Sequence, residues 1–352
     1  MNKCLVTKLA GTVNNDSLLK IGELRLSVST VDSPSKNSQG MYITANQKVN
    51  LTITGNGYFT DETLSENKGK TLAMRENTQT LFYVSNSNAS ISLDNKYALT
   101  SLFSYASVIG NISAINIGFD ISSLIYSRNL TKLSLSRSQI NGDISSLSDI
   151  TSLNILEMGN TNVNGNISAL SNLVNLQTVK LRNTQINGNI SSLAGLTSLT
   201  ALDLSSTQVY GNISSLANLT QLSGLDVPNV QSDLAVLVKF SKLGTCSLKN
   251  GNVSGDISKL ASTLYFFSCK DSTANLTWTA RDSSANIIAI EGSPRVDNID
   301  KMLQDLANCK AAFPADVPYY KAITATGTRT SASDTAVQTL QSKGYTVSIT
   351  PA

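Results

Sequence analysis

Glycines recur every 23 residues in the middle of this 352-residue chain, inside nearly identical phrases. The phrases read INGDISSL, VNGNISAL, INGNISSL and VYGNISSL, and their glycines are Gly142, Gly165, Gly188 and Gly211. A fixed period of about 20 to 50 residues is typical of repeat architectures, in which each repeat is one small structural unit. We therefore expect these units to stack into a solenoid.

Alignment on the glycines brings the apolar residues into seven columns over four consecutive units, with the template LxxLxLxxTxIxGxIxxLxxL. The LxL segment alternates with the period of a β-strand, so its leucines are predicted to point inward. One unit cannot close its own core, and successive strands are therefore expected to pair in parallel. The column members are Leu130, Leu133, Leu135, Ile140, Ile144, Leu147, Ile150, Leu153, Leu156, Met158, Val163, Ile167, Leu170, Leu173, Leu176, Val179, Leu181, Ile186, Ile190, Leu193, Leu196, Leu199, Leu202, Leu204, Val209, Ile213, Leu216 and Leu219.

Two further columns have a predicted backbone role. Hydroxyl side chains at the end of each strand are expected to bond to backbone groups of the turn, which would otherwise be buried unpaired. The glycine that follows is expected to supply a backbone conformation or a close approach that a side chain would prevent. The hydroxyl column consists of Ser138, Thr161, Thr184 and Thr207.

The template closely resembles the leucine-rich repeat of bacterial type. Its GxI phrase is similar to the plant-type GxIP, except that serine stands where that pattern has proline, at Ser145, Ser168, Ser191 and Ser214. The resemblance implies a non-catalytic scaffold that binds protein or glycan, with a parallel sheet along the concave face of the solenoid. Atypical units flank the four regular ones, as expected where a core must be capped from water.

The whole chain is predicted to be mainly β, in three parts. Residues 1–95 contain short alternating segments such as KVNLTIT and TLFYVSN between turn-rich stretches, which favours an all-β, sandwich-like attachment domain. The solenoid is expected over 96–280. Residues 281–352 alternate predicted strands with helices over 296–309 and 333–343, which indicates an α/β cap that extends the repeat sheet.

Composition excludes several classes of protein. Only 14% of the residues are charged, the net charge is +3, and no run of Lys and Arg is present that could follow a phosphate backbone, so no nucleic-acid partner is expected. No apolar stretch reaches the length of a membrane helix, so no membrane insertion is expected. The amino terminus lacks the apolar run of a signal peptide, so the chain is expected either to be mature and trimmed or not to use the secretory channel, and the initial methionine favours the second.

The residue types argue against catalysis. The chain has no histidine, so Ser-His-Asp and Cys-His catalytic groups are excluded. Its four cysteines show no CxxC spacing, and no metal or cofactor is predicted. Cys246 replaces a core leucine and is expected to be buried. Cys246 and Cys269 are 23 residues apart, and a disulfide between them is conceivable, but we expect reduced thiols.

Two outward-facing columns hold the candidate binding residues. Glu157, Lys180, Asp203 and Asp226 are predicted to share one column, with Arg182 nearby. This charged column is interpreted either as cross-strand pairing on a solvated sheet or as a ligand-facing patch. A second column contains Asn160, Asn183 and Asn229. Its amides suit recognition of sugars or backbone groups, but they equally suit a turn at the strand ends.

Paired carboxylates can also hydrolyse glycosides, which makes a carbohydrate-active enzyme the least favoured alternative. Asp203 and Asp226 would form the pair, but no aromatic sugar platform is expected in the adjacent columns. The chain is therefore predicted not to be an enzyme.

Both flanks resemble surface-type proteins of gut Bacteroidetes and of their phages, including crAss-like phages. The phrases concerned are MNKCLVTKLAGTVNNDSLLKIGELRLS and SDTAVQTLQSKGYTVSI. This resemblance implies a virion structural protein, either a fibre or a decoration subunit of head or tail, assembled in the host cytoplasm and homo-oligomeric. Its partners would be other virion proteins or a protein or glycan of the host surface. The alternative is an adhesin on a bacterial cell surface.

Overall fold

The structure is a computed structural model that describes residues 120–352, except 126, 139 and 312–320, together with the backbone of ten earlier strands. These strands pair antiparallel in the orders β10-β1-β8-β3-β6 and β9-β2-β7-β4-β5. The packing of the predicted sandwich-like domain lies outside the described residues. The strands are β1 Leu24–Ser29, β2 Gly40–Ala45, β3 Val49–Thr54, β4 Tyr58–Thr60, β5 Glu66–Asn67, β6 Thr71–Met74, β7 Thr80–Ser85, β8 Ala89–Leu93, β9 Leu99–Tyr105 and β10 Asn116–Gly118.

Residues 120–125 and 131–352 form one compact unit, a mainly β solenoid with a long parallel sheet. The boundaries at 95 and 280 remain predictions. The LxL segments form one row of parallel strands, here called the LxL ladder. It consists of β11 Lys132–Ser134, β13 Ile155–Glu157, β15 Thr178–Lys180, β17 Ala201–Asp203, β19 Gly224–Pro228, β21 Thr245–Lys249, β23 Phe266–Ser268, β25 Ala289–Glu291, β27 Ala322–Thr326 and β28 Thr346–Thr350.

The segments around the repeat glycines belong to a second row of parallel strands, here called the glycine ladder. A 3-10 turn follows each strand of this row from β12 to β22. The strands are β12 Asn141–Asp143, β14 Asn162–Asn166, β16 Gln185–Asn189, β18 Gln208–Asn212, β20 Val230–Asp233, β22 Asn252–Asp256, β24 Thr273–Thr277 and β26 Arg295–Val296. The 3-10 turns of the repeats are Ile121–Leu124, Ile144–Leu147, Ile167–Leu170, Ile190–Leu193, Ile213–Leu216, Leu234–Lys239 and Ile257–Lys259, and a further one lies at Ser331–Ser333.

The seven apolar columns form the core, as predicted. All 28 side chains of the four regular units are at most 1% exposed. Complete burial of a Leu or Ile side chain stabilises the fold by roughly 1.5–3 kcal/mol. The sum over stacked units holds the solenoid together, because no unit alone excludes water from its leucines.

The predicted role of the hydroxyl column is confirmed. Thr161 Oγ1 donates to Met158 O at 2.6 Å, and Thr184 and Thr207 make the equivalent bonds at the same distance. Ser138 Oγ donates to Leu135 O. Each hydroxyl thus satisfies a carbonyl that the turn of the chain leaves without a strand partner.

Both predicted roles of the glycine column are confirmed, the unusual backbone conformation and the close approach. Gly188 has φ +105°, a conformation that L side chains rarely adopt, and a Cβ there would lie 2.5 Å from Asn166 Oδ1. The side chain of Asn166 is fixed in this place because it caps a 3-10 turn, with Oδ1 accepting from Ser168 N at 2.9 Å. The sequence analysis missed this capping column, which consists of Asp120, Asp143, Asn166, Asn189, Asn212, Asp233 and Asp256.

The carboxyl-terminal segment alternates strands with two helices, α1 Ile299–Asn308 and α2 Asp334–Ser342. The LxL ladder continues through it, since β25 pairs in parallel with β23 and β27 with both β25 and β28. Lys343 Nζ donates to Ala307 O and Cys309 O, which lie at the end of α1. No helix in the described part of the chain has the length and apolar character needed to span a membrane.

Arg281 connects the last repeats to the carboxyl-terminal segment through hydrogen bonds. Its side chain is 7% exposed and its guanidinium donates to five backbone carbonyls at 3.1–3.4 Å. The acceptors are Ser258 O, Leu260 O, Ala261 O, Leu264 O and Asn286 O. Asp305 holds the adjoining chain, because it accepts from Trp278 Nε1 at 2.9 Å and from Arg281 N at 3.3 Å.

The three cysteines that the structure describes, Cys246, Cys269 and Cys309, are free and buried. The expected burial of Cys246 is confirmed. Burial raises the pKa of Cys269 to about 12, which keeps this thiol protonated at neutral pH.

Gly188→Ala is expected to lower the free energy of unfolding by roughly 1–3 kcal/mol. Alanine rarely adopts the positive φ of this position, and its methyl group would displace the capping side chain of Asn166. Gly195→Ala is the matched control, since a Cβ there meets nothing within 4 Å. Chemical denaturation of both variants measures the difference. Equal denaturation midpoints would contradict the assigned role of the glycine column.

Arg281→Met is expected to lower the free energy of unfolding by at least about 3 kcal/mol, because each buried carbonyl left without a donor costs roughly 1–3 kcal/mol. Arg295→Met, at an exposed position on β26, is the control and should change little. Thermal and denaturant unfolding monitored by circular dichroism report both. A loss no greater than that of the control would refute the role of Arg281.

Candidate binding surface

The predicted charged column exists and is in strict register. On the LxL ladder Glu157 pairs with Lys180, Lys180 with Asp203, and Asp203 with Asp226. Adjacent strands lie about 4.8 Å apart, so the side chains form one row on the outward side of the ladder. The row begins with alternating charges and then places two carboxylates side by side.

Glu157 and Lys180 form the satisfied end of this row. Lys180 Nζ lies 2.8 Å from Glu157 Oε1, and Ser134 Oγ donates to Glu157 Oε2 at 2.7 Å. Partial burial acts to raise the pKa of Glu157, but the hydrogen bonds from Lys180 and Ser134 outweigh it, so the pKa lies below its ordinary value. This end of the row behaves as a cross-strand pair.

Asp203 and Asp226 form the end of the row where two like charges lie side by side. Asp203 Oδ1 accepts from Ser205 N at 3.1 Å and from Ser205 Oγ at 2.6 Å. Asp226 Oδ1 is buried, and Ser247, which is in register on the next strand, is the hydrogen-bonding neighbour of this carboxylate. Burial raises the pKa of Asp226, and the neighbouring charge of Asp203 adds to the rise, whereas the charges of Lys249 and Arg182 and a hydrogen bond from Ser247 oppose it without cancelling it. Ionised Asp226 is therefore poorly stabilised by its surroundings.

A depression of about 370 Å³ lies over this end of the row. Ala201 and Gly224 lie at its floor on adjacent strands. These two small residues leave space that the larger Thr178 and Thr245 occupy on the flanking strands. The lining residues are Lys180, Arg182, Ala201, Leu202, Asp203, Gly224, Leu225, Asp226, Thr245, Ser247 and Phe266. Charges of both signs thus surround one shallow site.

Two lining residues escaped the sequence analysis, Ser247 and Phe266. No aromatic sugar platform was expected in the columns adjacent to Asp203 and Asp226, but Phe266 follows Thr245 in one of these columns and lines the same depression, two strands beyond Asp226. Ser247 is in register with Asp226 and is only 5% exposed, and its hydroxyl lowers the pKa of Asp226 through a hydrogen bond.

The asparagine column lies at the strand ends and outside this depression. Asn160, Asn183 and Asn229 have φ between 51° and 58°, so they serve as turn residues in the left-handed region. Asn183 Nδ2 donates to Asn160 Oδ1 at 3.2 Å, which links one turn to the next. Of the two interpretations of this column, the turn-forming one describes what these residues do in the fold. Their role in binding remains a prediction.

Within the residues that the structure describes, no group of three or more His, Cys, Asp or Glu side chains is arranged to hold a metal ion. Asp203 and Asp226 stand together without a third such ligand. The arrangement is suited to ion pairing and hydrogen bonding with a ligand.

Asp226→Asn is expected to raise the free energy of unfolding at pH 7 by roughly 0.2–1 kcal/mol, because it removes a like charge directly opposite Asp203. The raised pKa means that Asp226 favours folding only while it is protonated. The advantage of the variant should therefore vanish below about pH 3.8, the ordinary value for this carboxyl.

Glu157→Gln is the matched control with the opposite sign. The pKa of Glu157 is lowered, so its stabilising effect is present above its ordinary pKa of 4.5 and is lost as the pH falls. Glu157→Gln should lower stability at pH 7 by less than about 1 kcal/mol, since the pair is partly exposed. Denaturant unfolding between pH 3 and pH 8 measures both variants. The same sign for both at pH 7 would contradict the assignment.

Solved structures that align with the chain include internalin C2 of Listeria monocytogenes, at 34% identity over 50% of this chain and 74% of that chain, with a TM-score of 0.40. Internalin F of the same organism aligns at 20% identity over 72% and 82% of the two chains, with a TM-score of 0.43. The plant peptide hormone receptor RGFR1, solved with RGF2, aligns at 17% identity over 72% of this chain and 51% of its own, with a TM-score of 0.46.

No protein-family model and no curated protein matches the chain. All three TM-scores are below 0.5, so the assignment rests on the repeats of the chain itself. Their apolar columns are buried, their LxL strands pair in parallel in register, and their turns repeat the same hydrogen bonds. By these features the chain is a leucine-rich repeat protein.

Proposed function

We propose that this protein is a non-catalytic binding protein whose LxL ladder presents its outward side to a protein partner. The observation that carries the proposal is the depression over Ala201 and Gly224, where Lys180, Arg182, Asp203 and Asp226 surround one site. Lys180 is paired with Glu157 and Asp203 with Ser205, but the two aspartates still face each other on adjacent strands. A solvated sheet needs no such depression and would be more stable without the opposed carboxylates.

The scaffold suits recognition by shape and charge. Each side chain of the ladder is held by a strand whose inward neighbours are fully buried, so the outward rows keep fixed positions. Rigid placement lowers the entropy lost on binding. Charges of both signs in one site favour a protein as the partner, because a protein surface carries charged groups of both signs. Complementary placement of these groups would make the binding specific. Glu157, Asn160, Asn183 and Asn229 would extend the contact beyond the depression.

In its narrower form the proposal is a phage virion subunit, a fibre or decoration protein of head or tail. Residues 1–95 would attach to the particle, and the repeats would contact other virion proteins or a protein or glycan of the host surface. The support is the resemblance of both flanking phrases to such proteins. A homo-oligomeric state belongs to this form of the proposal.

The alternative in the same class is an adhesin on a bacterial cell surface, and the binding site described above serves it equally. Mass spectrometry of purified virions and of host envelopes separates the two. Enrichment in virions supports the first, and enrichment in envelopes without virions overturns it in favour of the second.

The carbohydrate-active enzyme is supported by one observation, the two adjacent carboxylates of which one has a raised pKa. Release of reducing sugar from host glycans measures this activity. We expect none. Turnover that is lost in Asp203→Asn would overturn the non-catalytic proposal.

The binding proposal is tested with the full chain and a variant that neutralises the depression without changing net charge. The variant carries Lys180→Met, Arg182→Met, Asp203→Asn and Asp226→Asn. The matched control carries Lys239→Met, Lys259→Met, Asp233→Asn and Asp271→Asn, which are exposed or partly exposed positions outside the depression.

Partners captured by immobilised protein from the native source are quantified by mass spectrometry. We expect wild type and control to retain the same partners and the neutralised variant to lose them by at least about tenfold, the loss that follows from 1.4 kcal/mol. Equal capture by all three proteins would show that binding does not use this surface.

A further inference from the structure

The strand β28 forms an open edge of the LxL ladder. In the described part of the chain it pairs in parallel with β27 and with no other strand. Alternate residues of β28 make the bonds to that side, beginning with Thr346, whose N donates to Lys321 O at 2.8 Å. The backbone N–H and C=O groups of Val347 and Ile349 therefore point away from β27, to the side where a further strand would lie.

The inward side chains of β28 are covered only in part. On β27 the side chains of Ile323 and Ala325 are fully buried. Val347 and Ile349, which stand in register with them on β28, are partly exposed. The core of the solenoid thus meets water along this edge, and an added strand would cover it.

The devices that usually protect an edge strand are absent from β28. Such devices are charged side chains, proline and bulges. Residues 346–350 read TVSIT, without charge or proline, and they pair with β27 in regular register. Lys343, the last cation before the strand, is held elsewhere, because its Nζ donates to Ala307 O at 2.6 Å and to Cys309 O at 3.0 Å. An uncharged segment rich in β-branched residues pairs readily with an identical one.

The residue pattern of β28 is symmetric about Ser348. Threonine stands at both ends of TVSIT, and a β-branched aliphatic residue stands on each side of the serine. If two copies pair antiparallel about Ser348, Val347 of one copy lies opposite Ile349 of the other. These are the residues whose backbone groups point outward, so both pairs exchange hydrogen bonds.

Charge also favours pairing of this strand with itself. A two-fold axis places a strand against its own copy, so a charge near the axis would face a like charge. Residues 344–352 carry no charged side chain. No repulsion therefore opposes the symmetric pair.

We propose that β28 is a dimer interface, at which the edge strands of two copies of this chain pair antiparallel about a two-fold axis at Ser348. A self-complementary surface of this kind joins two copies and then closes. The axis is perpendicular to the sheet, so the two LxL ladders continue as one sheet and their outward sides face the same direction. The inference does not rest on the proposed binding function, but the dimer would present two candidate binding surfaces to one partner.

The other occupant that fits an open edge is a strand of a different protein, held by the same backbone bonds. Such a partner would not need the symmetry of β28 about Ser348. It would also not respond to opposite charges placed at Ser348 in two copies of this chain. The experiment uses this difference.

The association of the full-length protein is measured by sedimentation equilibrium over a range of concentrations. Ser348→Lys and Ser348→Glu each place two like charges on the axis, at an exposed position. We expect each variant alone to associate at least about tenfold more weakly than wild type, and an equimolar mixture of the two to form a mixed dimer. Ser254→Lys, at an exposed position on β22, is the matched control and should associate as wild type does.

A disulfide tests the register. At the axis the two copies of residue 348 would form a pair that is not hydrogen-bonded, with Cα atoms about 4.5 Å apart, which a disulfide can span. Ser348→Cys should therefore give a covalent dimer on mild oxidation. Thr346→Cys is the control and should not, because its counterpart lies several residues away along the partner strand. Both are made with Cys4→Ser, so that the remaining native cysteines are the three buried ones.

The inference is overturned if wild type is monomeric at every concentration or if Ser348→Lys associates as tightly as wild type. It is also overturned if the mixture of the lysine and glutamate variants fails to recover the association that each has lost, or if Thr346→Cys cross-links as well as Ser348→Cys. Recovery in the mixture shows in addition that both variants are folded. Partner capture by the neutralised variant tests the proposed function separately, since β28 lies outside the depression.

Discussion

Burial of leucine and isoleucine between neighbouring repeats is the interaction on which the rest of the structure depends. The four regular units place seven apolar side chains each into one continuous core, and none is more than 1% exposed. A single unit has no second layer to cover these side chains, so its strand and its turn become stable only when another unit stacks on it. The parallel register of both ladders follows from this repetition, because identical units stacked in the same direction must pair like with like.

Stacking buries backbone as well as side chains, and the polar columns of the repeat satisfy it. The hydroxyl of Thr184 donates to a carbonyl at the end of its strand, and the amide of Asn166 caps the 3-10 turn that follows it in the same repeat. Gly188 has to be glycine because its backbone passes over that amide. These contacts explain why the phrase NGNIS repeats almost unchanged. They also leave the outward residues of the LxL ladder free to vary, and that is where the charged row occurs.

The charged row is an example of variation at these outward positions. Glu157 and Lys180 neutralise each other, as an exposed sheet would favour. Asp203 and Asp226 carry the same charge on adjacent strands, and their hydrogen bonds from Ser205 and Ser247 do not neutralise it. A fold whose core is supplied by many stacked leucines tolerates such a local cost. Two like charges opposed in one depression are better explained by binding than by stability.

The sequence by itself determined the solenoid, the buried columns, the hydroxyl bonds and the outward charged row, because all of these follow from a short period repeated along the chain. Helices α1 and α2 were also foreseen to within a few residues. Only the tertiary structure decided that the asparagine column forms turns, that Asp143 and Asn166 act as caps, and that Arg281 joins the repeats to the last segment. It also brought Ser247 and Phe266 beside Asp203 and Asp226. These contacts depend on spacings between units of unequal length, on backbone φ and on burial, which a column of residue letters does not contain.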